Sequence, residues 1–99
     1  MNEPRFTEKA EADLDQVWAY IARDNPGAAD TMIETILENS RIYVQFPNLG
    51  QRQEELRSGL RSVVVSPYVV YYRPVQGTIE LLRVLHCARD IKNIFRGQR

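Results

Sequence analysis

Along the first half of the chain, apolar positions recur at steps of three and four. From Glu8 onward, Ala10, Leu14, Val17, Trp18 and Ile21 fall on one helical face, leaving Glu11, Asp13, Asp15 and Arg23 for the other. Thr7 is suited to cap this helix. Asp24-Asn25-Pro26 ends it and starts a second, because Asn25 is a good N-cap and Pro26 fits a first helical turn. Ala29, Met32, Ile33, Ile36, Leu37, Ser40, Tyr43 and Val44 keep the period as far as Phe46, and Pro47-Asn48-Leu49-Gly50 stops it. So short a link predicts an antiparallel helical hairpin. Trp18 and Phe46 lie on its apolar stripes and are expected in the core.

After Gly50 the pattern changes. Residues 60–65 (LRSVVV), 68–73 (YVVYYR) and 79–85 (IELLRVL) are rich in Val, Ile, Leu and Tyr, and Ser66-Pro67 and residues 74–78 punctuate them. Three such strands joined by short turns predict an antiparallel meander, apolar enough on both faces to be largely covered. Arg5 to Thr7 reads as a short edge strand, and Asp90 can cap a last helix from Ile91 to Phe95. The order β-α-α-β-β-β with a short C-terminal helix predicts an α+β fold, a helical hairpin packed on a small antiparallel sheet. At 99 residues, a single domain over residues 1–99 is expected. No apolar run reaches the ~18–20 residues that span a bilayer, so a soluble, cytoplasmic protein with no membrane partner is expected.

Charge alters this picture. The formal net charge is zero, yet residues 1–49 hold nine acids against four bases and residues 50–99 hold nine bases against four acids. The resulting dipolar surface points to an acidic or anionic partner for the second half. The bases are eleven Arg to two Lys, and arginine's planar fork suits bidentate contact with carboxylate or phosphate.

Candidate chemistry centres on residues 83–91, RVLHCARDI, which hold the chain's one histidine and one cysteine. A Cys-His dyad needs converging side chains, whereas neighbours on a strand point to opposite faces. His86 and Cys87 are therefore expected to diverge, with Cys87 a small apolar filler and His86 held by structural hydrogen bonds. One His and one Cys cannot furnish a usual zinc ligand set, and no phosphate loop or Ser-His-Asp set is present, so no metal, cofactor or catalytic residue is expected. What remains is a group of cationic residues in or beside strands: Arg61, Arg73, Arg83 and Arg89, with His86. Arg83, flanked by Leu81, Leu82, Val84 and Leu85, must be paired or reach an open cleft. Two readings stay open, an ion pair with Glu80 or a helix carboxylate, and a basic concave sheet face.

Three stretches carry a resemblance: FT-x-x-A-x-x-D-L over residues 6–14, G-L-R-S over residues 59–62 ahead of YVVYYR, and VLH-x-ARD over residues 84–90. Together they make the chain similar to ParE toxins of the ParE/RelE superfamily, from bacterial type II toxin–antitoxin pairs. The resemblance implies this same fold and a small ParD-like antitoxin, through which alone operator DNA is reached. It also implies one of two activities. RelE-like members cut mRNA in the ribosome with basic residues plus a Tyr or His, whereas ParE-like members poison DNA gyrase. RelE-like nucleases typically read Tyr-Arg-Leu-Val-Tyr on the central strand, but here Tyr68 is followed by Val69-Val70-Tyr71-Tyr72. The absent arginine removes a transition-state contact of a kind worth roughly 2.7–4 kcal/mol. Gyrase poisoning is the expected function and a ribosome-dependent endoribonuclease the alternative. Arg61, Arg73, Arg83, His86 and Arg89 are the expected partner-binding residues. Family members usually carry Gly where this chain has Cys87.

Overall fold

The computed structural model describes residues 2–96. The elements follow in the order β1 (Arg5–Phe6), α1 (Glu8–Ala22), α2 (Pro26–Gln45), β2 (Gln51–Arg52), β3 (Arg61–Val65), β4 (Tyr68–Val75), β5 (Thr78–His86) and α3 (Ile91–Arg96). They form the expected α+β architecture, one sheet in the order β1-β5-β4-β3-β2. Its pairings are antiparallel except at one edge, where β1 runs parallel to β5.

The expected caps close both helices. Thr7 accepts from the Ala10 amide and Asn25 from the Ala28 amide, each at 3.0 Å, and Pro26 opens α2. The Thr7 hydroxyl also donates to the Leu82 carbonyl at 2.9 Å, so one side chain both caps α1 and ties it to the sheet. Two core clusters follow from the two apolar faces. Ala10, Val17 and Ile36 of the hairpin pack on Tyr68, Val70, Tyr72, Ile79, Leu81 and Val84. On the other face, Leu60, Tyr71, Leu82 and Leu85 are covered by Phe95 of α3.

Several features depart from the sequence reading. Asp13 is buried rather than on the polar face of α1. Trp18 is 40% exposed and donates its indole N–H to Asp30 at 2.8 Å, and Phe46 is 58% exposed just past the end of α2. Strand β2 goes unseen in the sequence because it is two polar residues with no period. Finally, β5 does not alternate cleanly: Tyr71 pairs with Arg83 but Tyr72 with Leu81. The extra residue, Leu82, makes a bulge that resets which side chains face the helices. No helix among the described residues is long and apolar enough to cross a membrane.

Candidate functional site

Beside the bulge, Arg83 turns toward α1 and meets Asp13. Its Nε and Nη2 donate to the two carboxylate oxygens at 2.7 and 2.9 Å, and the Val84 amide donates to the same carboxylate at 2.9 Å. Both side chains are largely enclosed, 14% and 8% exposed. The hydrogen bonds to Asp13 make the Arg83 guanidinium more basic than usual, outweighing desolvation. Of the two readings left open, the ion pair with a helix carboxylate is the one observed. Glu80, the other candidate partner, instead binds Arg73 at 2.9 Å. Arg83 therefore joins α1 to the sheet and does not offer a free charge.

Asp13 also lines a cleft of about 380 Å³ between α1 and the open end of the β4–β5 hairpin. Val17, Val84 and Leu85 make it apolar, while Gln16, Tyr20, Tyr68, His86 and Arg89 supply polar groups. His86 stands edge-on to Tyr68, with ring centroids 5.6 Å apart. Its Nδ1 accepts from the Ala88 amide at 3.1 Å. In the neutral ring that bond leaves the proton on Nε2 as a free donor. Burial pushes the Tyr68 phenol above its ordinary pKa, with nearby Tyr20 adding to the effect, so Tyr68 stays a neutral hydroxyl at physiological pH. The Arg89 guanidinium has no partner among the described residues. The cleft can hold an apolar or aromatic group that carries an anion, the anion facing Arg89 and His86.

Of the five cationic residues singled out by sequence, this cleft brings together His86 and Arg89. Arg61 and Arg73 line a different cavity, between the β2–β3 edge and the loop before β3. Arg61 donates through Nη1 to the carbonyls of Asn48 and Gly50 at 2.9 and 2.8 Å. The expectation for Cys87 also fails: the thiol is exposed, not a filler. Nor do its neighbours diverge, since β5 ends at His86 and strand alternation no longer applies; Sγ lies 3.9 Å from His86 Nδ1. Because that nitrogen already accepts from Ala88, it is not disposed to take the thiol proton. Tyr20, Gln16 and Asp13 are the cleft residues that sequence reasoning missed. Tyr20 lies off the apolar stripe of α1, and that was the available signal.

Residues 5–91 match the model of the ParE toxin family of type II toxin–antitoxin systems, parDE. The chain belongs to the ParE toxin family. It is 36% identical over 84 residues to toxin ParE1 of Caulobacter vibrioides, a match covering 83% of this chain and 85% of that protein. It is 31% identical to toxin RelE2 of the same organism, over 85% of this chain and 93% of the relative. Among solved structures, it is similar to a chain of the chromosomal ParDE toxin–antitoxin system of P. aeruginosa. That similarity has a TM-score of 0.70 at 26% identity and covers 87% of this chain and 96% of that one.

The ParE-like motifs acquire physical reasons from the fold. In F-T-x-x-A-x-x-D-L, Thr7 caps α1, fully buried Ala10 packs against the sheet and Asp13 holds Arg83. In G-L-R-S, Gly59 has φ +77°, a conformation that disfavours other residues, and Leu60 and Ser62 are buried. The Ser62 hydroxyl accepts from the side-chain amide Nε2 of Gln53 at 2.9 Å. In VLH-x-ARD, Asp90 caps α3 through the Asn93 amide. Cys87 needs no glycine, since no described non-glycine residue has positive φ.

Proposed function

We propose that this ParE-family toxin poisons DNA gyrase by binding rather than by catalysis, and that a ParD-like antitoxin keeps it silent. It acts as a single domain in the bacterial cytoplasm and reaches operator DNA only through the antitoxin. The observation that carries this reading is the fate of the cationic residues. Arg83 is bound to Asp13, Arg73 to Glu80 and Arg61 to backbone carbonyls. On β4, the position following Tyr68 holds Val69, which packs into the apolar cluster capped by Phe95. A ribonuclease must gather several cations around one phosphate, and among the described residues Arg89 and His86 share the α1 cleft with no other cationic side chain. These two residues, at the mouth of an apolar recess, suit contact with a partner protein. The ParDE neighbour supports an antitoxin as one such partner.

His86, Tyr68 and Arg89 around one cleft favour a second reading, a ribosome-dependent endoribonuclease. One paired experiment separates the two. Purified toxin is added to a plasmid supercoiling reaction with gyrase and, in parallel, to a translation extract programmed with a defined message. Inhibited supercoiling with intact message supports gyrase poisoning. Cleaved message that becomes intact with Arg89→Ala supports the nuclease, and supercoiling unaffected at micromolar toxin removes the gyrase reading.

A further inference from the structure

The α1 cleft contains a hydrogen-bond donor that the fold does not use. Tyr68, the first residue of β4, is only 5% exposed, and its ring belongs to the core cluster beneath the helical hairpin. Buried phenols ordinarily keep a partner for the hydroxyl. Fully buried Tyr72 does so, donating to the Pro47 carbonyl at 2.8 Å and accepting from the Gly50 amide at 2.9 Å. The Tyr68 hydroxyl has no hydrogen-bond partner among the described residues. No enclosed side-chain polar atom of those residues is left unpaired, so this hydroxyl is open to the cleft that Tyr68 lines. Whatever satisfies it comes from the cleft.

Charge and shape define the occupant. Asp13 is the one carboxylate among the residues lining the cleft. It already accepts two hydrogen bonds from Arg83 and one from the Val84 amide, so its charge is met within the fold. Arg89 is left as the single uncompensated charge, with the His86 Nε2–H beside it as a neutral donor. Buried Val17, Val84 and Leu85 supply an apolar wall, next to the edge-on rings of Tyr68 and His86. The volume of about 380 Å³ falls within the range of small-ligand sites, roughly 300–1,000 Å³. A flat apolar body with one negative charge at one end complements these features. A carboxylate meets the guanidinium fork with two parallel hydrogen bonds. A phosphate monoester carries about 1.5–2 negative charges at pH 7, more than one arginine balances.

We infer that the α1 cleft is a binding site for a small aromatic carboxylate. The ring lies against Val17, Val84 and Leu85, the carboxylate meets Arg89 and the His86 Nε2–H, and the Tyr68 hydroxyl donates to an oxygen of the ligand. This goes beyond gyrase poisoning and does not rest on it. It places a small ligand in a cleft whose mouth also suits a partner protein, and its test contains no gyrase, so either reading can fail alone.

The test is isothermal titration calorimetry of the full-length toxin with 2-naphthoate. Saturable one-to-one binding is expected, with a Kd of about 1 mM or tighter for a ligand of this size. Arg89→Gln should weaken it about tenfold, as for loss of a charged hydrogen-bonding partner. Tyr68→Phe keeps the ring and should weaken it about threefold or more. Arg89 is exposed and the Tyr68 hydroxyl is unpartnered, so thermal melting of both variants should match the parent. The uncharged 2-naphthamide should bind about tenfold more weakly to the unaltered toxin, a comparison that no folding defect can affect. Arg52→Gln, at the β2 edge, should leave binding intact. No saturable binding at millimolar ligand overturns the inference, as does parental affinity in both cleft variants or equal affinity for the amide. Tighter binding of 1-naphthyl phosphate overturns the carboxylate assignment. Displacement of 2-naphthoate by a dinucleotide that binds more tightly also overturns it, by making the cleft a nucleic-acid site.

Discussion

At the scale of single residues, the Asp13–Arg83 pair decides how the sheet and the first helix meet. Helical periodicity assigns a carboxylate to the solvent side, and nothing local to Asp13 says otherwise. Yet Asp13 sits three positions after Ala10 and four before Val17, on the face they share, and its partner lies seventy residues away. The companion inference from Arg83, that a charge inside an apolar strand must be paired, was legible because desolvation alone demands it. Removing one member of a buried pair leaves the other uncompensated, at a cost of about 3–5 kcal/mol. Asp13→Ala should lower the unfolding free energy by about that amount in urea titrations, because it strands both Arg83 and the Val84 amide. Destabilisation no larger than that of an exposed control such as Asp15→Ala would contradict the assignment.

Three tyrosines make a second residue-scale prediction. Burial pushes the phenols of Tyr68, Tyr71 and Tyr72 above the ordinary value of 10.0. Each therefore keeps its proton longer in the folded than in the unfolded chain. Their contribution is complete below pH 10 and declines as the pH rises through 10 toward the folded-state values. Urea midpoints should fall between about pH 9 and about pH 11, and Tyr72→Phe should flatten that fall. A pH dependence identical in the variant would show that Tyr72 is not held neutral by burial.

At the scale of elements, periodicity and caps were enough for α1, α2, the meander and α3, because each is signalled within its own residues. Features set by distant partners were not legible. The parallel β1–β5 edge, the Leu82 bulge and the two-residue β2 arise only once strands pair. Phe46 illustrates the limit: the period of α2 carries it inward, but the turn held by Tyr72 and Arg61 leaves it outside. That turn gives an element-scale prediction. A Cβ at buried Gly50 would overlap the Tyr72 hydroxyl and lie 2.7 Å from its Cε1. Since the ring is fully enclosed, Gly50→Ala should cost about 1–3 kcal/mol by overpacking. Thermal unfolding checks this, and a variant as stable as the parent would show that the turn yields freely. The candidate site was partly legible for a similar reason. His86 and Arg89 belong to one recognisable stretch, whereas Tyr20 and Gln16 enter the cleft only through the packing of α1 on the sheet.

At the scale of the whole molecule, the charge split along the chain becomes two separate surfaces. The His86–Arg89 cleft opens beside α1, and the Arg52–Arg61–Arg73 recess opens at the other edge of the sheet, next to Phe46 and Leu49. The cations that a nuclease would concentrate are instead divided between these surfaces, and Arg61, Arg73 and Arg83 are tied into the fold. A protein built this way is suited to grip other proteins, which is how a gyrase poison and its antitoxin would meet. The most direct measurement is trapping of gyrase on DNA. Purified toxin is incubated with gyrase, ATP and supercoiled plasmid, then denatured with detergent and digested with protease. Toxin-dependent linear plasmid, abolished by prior addition of the cognate antitoxin, is the predicted result. Plasmid that stays uncut at micromolar toxin, while message in a translation extract is cleaved, would contradict the account.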